Sequence, residues 1–270
     1  MTILQYNKIF EELYERLNRR NHVHPDPLEF LYRYEDPRDR EVAGLLASSL
    51  AYGRVAQILR SVSSVLDVMG PRPSEFILNS SRESLVESFS GFKHRFSTGE
   101  ELSMTLFGTK RIIEKYGSLE ACFVSGLCDE ETILPALLNF ARELRVPSNG
   151  KTNSLVPSHE KKSSMKRLNL FLRWMVRCDD VDPGGWSDIS TEKLIVPLDV
   201  HMMRICKGLG ITKRKSAGIK TALDITESFR KISPDDPVKY DFALTRLGIK
   251  KGVELEALLG SSGLDSFVNG

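Results

Sequence analysis

Val196-Pro197-Leu198-Asp199-Val200-His201-Met202, continued by Met203, Ile205 and Leu209 at helical intervals, is the stretch on which the reading of this chain turns. Pro197 holds the approach extended. Asp199 then stands where a carboxylate accepts hydrogen bonds from the free amides of a helix's first turn. On spacing alone such an aspartate is a helix cap, and a catalytic carboxylate is the alternative.

Working outward, the same helical rhythm recurs along the chain. Ile3, Tyr6, Ile9, Phe10, Leu13 and Leu17 predict an amphipathic opening helix. Asp39 is expected to cap a helix through Glu41, Leu45 and Leu46. Gly53 bends or divides that helix, Ile58, Val62 and Leu66 resume it, and Gly70, Pro71 and Pro73 close it. Further helices are expected over 74–78, 100–115, 118–125 and 130–144. An exposed connection follows over 147–164, then helices over 165–177, 200–209, 216–229 and 238–247. No convincing alternating strand and no fixed-period repeat interrupts them, so the fold class is all-α.

With 41% hydrophobic and 27% charged residues in 270, the composition is that of a globular protein with a full core. No apolar run approaches a membrane span, and the first twenty residues lack a signal-peptide core; no membrane partner and a cytoplasmic location are expected. Cys122, Cys128, Cys178 and Cys206 have neither zinc-ribbon nor disulfide-framework spacing and read as reduced thiols. A net charge of +2 does not identify a polyanion partner; its distribution is more telling. Lys161, Lys162, Lys166, Arg167, Arg173 and Arg177 form one basic cluster, and Lys207, Lys213, Arg214, Lys215 and Lys220 another. Each reads as a solvated helix face or as a contact for a polyanion.

The segment from Pro197 to Met202 resembles the "P-V-D-x-H-V/M" stretch of the helix-hairpin-helix DNA glycosylases, in which the aspartate is the essential carboxylate. Glu41 to Leu50 is similar to that family's early "LLAAxLSQQT" helix, without the usual glutamine pair. Pro237 to Leu244 is loosely similar to its late helix. Ser163-Ser164-Met165-Lys166-Arg167-Leu168 has the layout of the family's lysine-bearing helix start. The wide interval to Asp199, filled by the insert Asp179 to Lys193, resembles the archaeal-type oxoguanine glycosylases. Lys166 through Arg177, taken with Pro197-Leu198-Asp199 and Tyr240 through Gly248, looks closer still to an uncharacterised bacterial family, DUF2400, placed near those enzymes. The departure is the hairpin. Where the family has "LPGVGxK", this chain has Leu155-Val156-Pro157-Ser158-His159 and no glycine.

The resemblance implies a two-lobed, all-α architecture. A six-helix lobe over 41–179 carries the degenerate hairpin, and 1–40 plus 180–270 form a discontinuous outer lobe, with the opening helix against the C-terminal helices. It implies catalysis by Lys166 and Asp199 in a cleft between the lobes. DNA contacts are expected from Lys162, Ser163, Ser164, Arg167, His201, Arg204 and Lys207. The expected activity is excision of an oxidised base, first an 8-oxoguanine-like purine, with abasic-site lyase chemistry. The expected partner is double-stranded DNA carrying a damaged base, bound by a monomer. Asp199 would stabilise the cationic sugar and Lys166 would form a Schiff base. The flipped nucleotide needs a stacking side chain, with Phe171, Trp174, Trp186 and Phe229 as candidates that read equally as core. No cofactor is expected, since only Cys206 lies beyond residue 200 where some relatives hold an iron-sulfur cluster. Two other readings stand beside this one: a catalytically inactive DNA- or RNA-binding relative, and a metal-dependent hydrolase using His22, His24, Asp199 and His201, whose spacing matches no helical metal motif.

Overall fold

The computed structural model describes residues 2–148, 152–157 and 163–249. Among these, 62% are helical and 3% lie in strands, which is the all-α class. They divide into two units, each discontinuous in sequence: one lies within Met1–His22, Lys162–Arg173 and Ser190–Gly270, the other within Val23–Lys161 and Trp174–Ile189. The lobe boundaries at 41 and 179 stand as a proposal about folding units.

In the first unit, α1 (Ile3–Leu17) opens with a reciprocal cap in which Thr2 and Gln5 satisfy each other's backbone amides. Its face of Phe10, Leu13 and Leu17 is buried. The Phe10 ring meets Phe229 of α11 (Ile219–Arg230) edge-on at 5.8 Å and Tyr240 at 5.2 Å, just before α12 (Asp241–Ile249). The opening helix therefore packs on the C-terminal helices, as the resemblance implied. α9 (Lys166–Val176) begins in this unit, and α10 (Val200–Gly208) packs against α12.

In the second unit, α2 (Pro37–Ser49) is buried along nearly its whole length from Asp39 onward. Its cap is Asp36, not Asp39: Asp36 accepts from Arg38 N at 2.8 Å with Pro37 in the first turn, whereas Asp39 turns inward and accepts from Ser74 N at 2.9 Å. Around α2 stand α3 (Val55–Met69), α4 (Pro73–Asn79), α5 (Arg82–Ser88), α6 (Gly99–Tyr116), α7 (Leu119–Val124) and α8 (Leu134–Arg145). α5, a two-turn helix capped by Ser81, lies outside the helices expected from periodicity, and α8 starts four residues later than expected, with Pro135 in its first turn. A small antiparallel hairpin, β1 (Lys93–His94) with β2 (Ser97–Thr98), precedes α6. Gly108 lets α6 approach α8 closely, since a β-carbon there would stand 2.3 Å from Leu144 O. No helix among the described residues is long and apolar enough to cross a membrane.

Candidate active site

Two helix starts meet within the first unit. Asp199 has extended backbone, and its Oδ1 accepts from His201 N and Met202 N, both at 2.9 Å, so the cap expected from the sequence is formed. Its other oxygen, Oδ2, lies 3.6 Å from Lys166 Nζ, the first residue of α9. The carboxylate is thus divided, one oxygen spent on the helix and the other facing an ammonium group. Both side chains keep about a quarter of their surface, 27% for Lys166 and 28% for Asp199, so a reactant can reach the pair.

The backbone before α9 is built to hold this approach. Met165 adopts φ 53, a left-handed conformation rare for a residue with a β-carbon. Several bonds hold it there: Ser163 Oγ accepts from Met165 N at 3.2 Å, Asn169 N donates to Met165 O, and Asn169 Nδ2 donates to Ser164 O, the last two at 3.0 Å. Ser164 Oγ donates to Leu198 O at 2.8 Å and so ties the entry of α9 to the entry of α10.

Behind the pair lies a second ion pair that the sequence reading did not select. Lys166, Asn169 and Arg173 share one face of α9 by their spacing. Arg173 donates to Asp241 Oδ2 at the start of α12, and both side chains are 3% exposed. Asp241 Oδ1 is buried with no hydrogen-bond partner among the described residues. Burial pushes the Asp241 carboxyl up; Arg173 opposes this, Asp199 adds to it and Lys166 subtracts from it. The other three charges therefore all bear on Asp241. The signal was in the sequence: Asn169 and Arg173 are polar breaks in the apolar run from Leu168 to Val176.

Other expected site residues differ in exposure and in what they bond. Ser163 is exposed and bridges Gly218, while Ser164 is buried with its hydroxyl committed to Leu198. Arg167 is half-buried. His201, Arg204 and Lys207 are exposed and recur every three residues along α10. Lys162 lies outside the described residues. Of the first basic cluster, Arg173 and Arg177 form no solvated face: Arg177, 4% exposed, pairs with Asp182 and with Asp179. The second cluster, Lys207, Lys213, Arg214, Lys215 and Lys220, is exposed throughout. All four stacking candidates are core, with Phe171, Trp174 and Phe229 fully buried and Trp186 4% exposed. Trp186 Nε1 is occupied by Glu41 at 3.0 Å. His22 Nδ1 lies 3.1 Å from Leu17 O and His24 Nδ1 2.7 Å from Glu29. Among the described residues, no group of three or more His, Cys, Asp or Glu is arranged to hold a metal ion. All four cysteines are free thiols, and burial pushes Cys122 up to about 12.

The model of a family described as a protein of unknown function, DUF2400, matches residues 26–250. The chain belongs to that family. The DUF2400 match takes in the whole of α9, α10 and α12, and with them Lys166, Arg173, Asp199 and Asp241. Neither a curated protein nor a solved structure matches the chain.

Proposed function

We propose that this DUF2400 protein is a DNA base-excision glycosylase with abasic-site lyase activity, acting on an oxidised base in double-stranded DNA, an 8-oxoguanine-like purine first. The observation that carries the reading is the 3.6 Å approach of Lys166 Nζ to Asp199 Oδ2, with Asp199 held as a helix cap. Breaking an N-glycosidic bond builds positive charge on the sugar, and a fixed carboxylate beside the anomeric carbon stabilises it. In the proposed sequence, Lys166 loses a proton to solvent, leaving Asp199 ionised, and its nitrogen bonds to C1′ as the bond to the base breaks. The departing base takes a proton from the new C1′ ammonium group, and the C1′–O4′ bond then opens with O4′ protonated from solvent, giving an iminium ion. Loss of a C2′ proton then expels the 3′ phosphate. The likeness of the Pro197 to Met202 segment to the glycosylases supports the same assignment of roles.

Borohydride reduction in the presence of an 8-oxoguanine duplex tests the reading. A covalent protein–DNA product that Lys166→Gln abolishes is expected. If neither oxidised-base nor abasic duplexes give a trapped product, the lyase assignment is wrong. The inactive, nucleic-acid-binding alternative rests on the glycine-free hairpin segment and the buried, committed hydroxyl of Ser164. It predicts salt-sensitive binding that Asp199→Asn leaves intact, with no chemistry on any damaged substrate.

A further inference from the structure

The four buried aromatics leave the stacking role unfilled, and the hairpin of the second unit holds a ring that is not buried. β1 and β2 pair Lys93 with Thr98 and His94 with Ser97, so Arg95 and Phe96 alone make the turn. Arg95 adopts φ 55, a conformation that costs energy for any residue but glycine and persists only where its surroundings impose it. Phe96 sits at the tip with 65% of its surface exposed.

A lone exposed phenylalanine is unremarkable on a protein surface. This one rests on a clamped support. Its ring stacks on Tyr52 at 5.1 Å and 27°. Tyr52 Oη is 2.6 Å from Ser97 Oγ and 3.1 Å from His94 O. The buried His94 ring closes the clamp, with Nε2 3.0 Å from Tyr52 O and Nδ1 2.9 Å from Ser61 Oγ. The platform is therefore pre-ordered, which lowers the entropy lost on binding.

Its surroundings are cationic. The Arg95 side chain lies across Gly53, where a β-carbon would stand 2.8 Å from Arg95 Cδ, and Arg54 follows directly. Arg54, Arg95 and Lys93 are exposed, and none has a carboxylate partner among the described residues. An exposed ring on the same turn as Arg95, whose side chain lies across Gly53 next to Arg54, matches a ligand with a π-face and flanking anions, which is an unstacked nucleotide. A protein partner would call for a broader apolar patch.

We propose that Phe96, seated on Tyr52, stacks on a nucleobase exposed at a gap in duplex DNA, with Arg54 and Arg95 holding the adjacent phosphates. The inference rests on the proposed function for its choice of DNA as partner. The test is a titration of the full chain with a duplex holding a tetrahydrofuran abasic-site analogue beside 2-aminopurine, next to the intact duplex. Phe96→Ala should weaken binding to the gapped duplex about tenfold or more and abolish the fluorescence change. Phe96→Trp should restore both, and Arg95→Ala should weaken binding with a shallower salt dependence. Because Phe96 is exposed, thermal melts of these variants should match wild type. Unchanged affinity and fluorescence in Phe96→Ala, or a change of oligomeric state in place of DNA binding, would overturn the proposal. Borohydride trapping separates the two readings. A Phe96-dependent signal with no trapped product removes the glycosylase reading and keeps the platform. Trapped product with Phe96→Ala indistinguishable from wild type does the reverse.

Discussion

Lys166 Nζ and Asp199 Oδ2 stand 3.6 Å apart although one begins α9 and the other caps α10. Two helix N-termini and an ammonium group are thereby gathered around one carboxylate, an arrangement whose positive potential favours an anionic ligand.

Stability and chemistry should separate at Asp199. Asparagine caps a helix about as well as aspartate, so Asp199→Asn should change unfolding free energy by no more than about 0.5 kcal/mol. Asp199→Ala should cost about 1 kcal/mol through loss of the cap. If the proposed chemistry holds, both variants lose base excision by orders of magnitude. Urea unfolding beside a single-turnover cleavage assay compares the two effects; full excision by Asp199→Asn would reduce the residue to a cap.

The Arg173–Asp241 pair should be costly to break from one side. Arg173→Met leaves a buried carboxylate without its counter-charge and should destabilise by about 3–5 kcal/mol. Replacing both, Arg173→Met with Asp241→Leu, should recover much of that loss, because the desolvation cost disappears with the charges. Denaturant unfolding of the single and double variants measures the difference.

Glu41 should behave as an internal cap for α7. Its carboxylate accepts from Leu119 N at 3.1 Å, Glu120 N at 3.3 Å and Trp186 Nε1 at 3.0 Å. Burial pushes its pKa up, yet all three partners are donors. Glu41→Gln turns an amide NH2 toward at least one of them and should cost about 1–3 kcal/mol, read as a lower melting temperature with quenched or shifted Trp186 fluorescence.

The link from Glu11 to α12 should fade in acid. Burial raises the Glu11 carboxyl, but hydrogen bonds from Lys239 at 2.8 Å and Tyr240 at 2.6 Å outweigh it, leaving the group below its ordinary 4.5. A lowered carboxylate contributes stability above the unfolded value and loses it as pH falls through the folded one. Glu11→Gln should therefore lower the unfolding free energy at pH 7 by less than about 1 kcal/mol for so accessible a pair, seen as a lower melting temperature, and the difference should vanish well below pH 4.5.

Gly108 offers a packing test. Alanine normally gains up to about 1 kcal/mol over glycine within a helix. At Gly108 the added carbon meets the Leu144 carbonyl at 2.3 Å, so α6 and α8 must separate and the melting temperature should fall. Gly91, with nothing within 4 Å, should tolerate the same change.

The helices and the Asp199 cap were legible because both are local. A 3.6-residue rhythm and an oxygen two or three residues before free amides leave their mark within a single turn of chain. The sequence alone therefore determined the all-α class, most helix positions and the cap at Asp199. It also raised Lys166 by its place at a helix start. Where local choices competed, tertiary contacts decided. Asp39 is as good a cap by type as Asp36, but Ser74 draws it inward. Arg173 reads as part of a basic stretch until Asp241 is brought beside it. Trp174 and Phe96 are both aromatic, yet one is fully buried and the other 65% exposed on a strained two-residue turn. Charge pairing, burial and exposure depend on residues far apart in sequence arriving at the same place. Only the folded chain could decide that Asp199 faces Lys166, and that Phe96 carries an exposed aromatic ring.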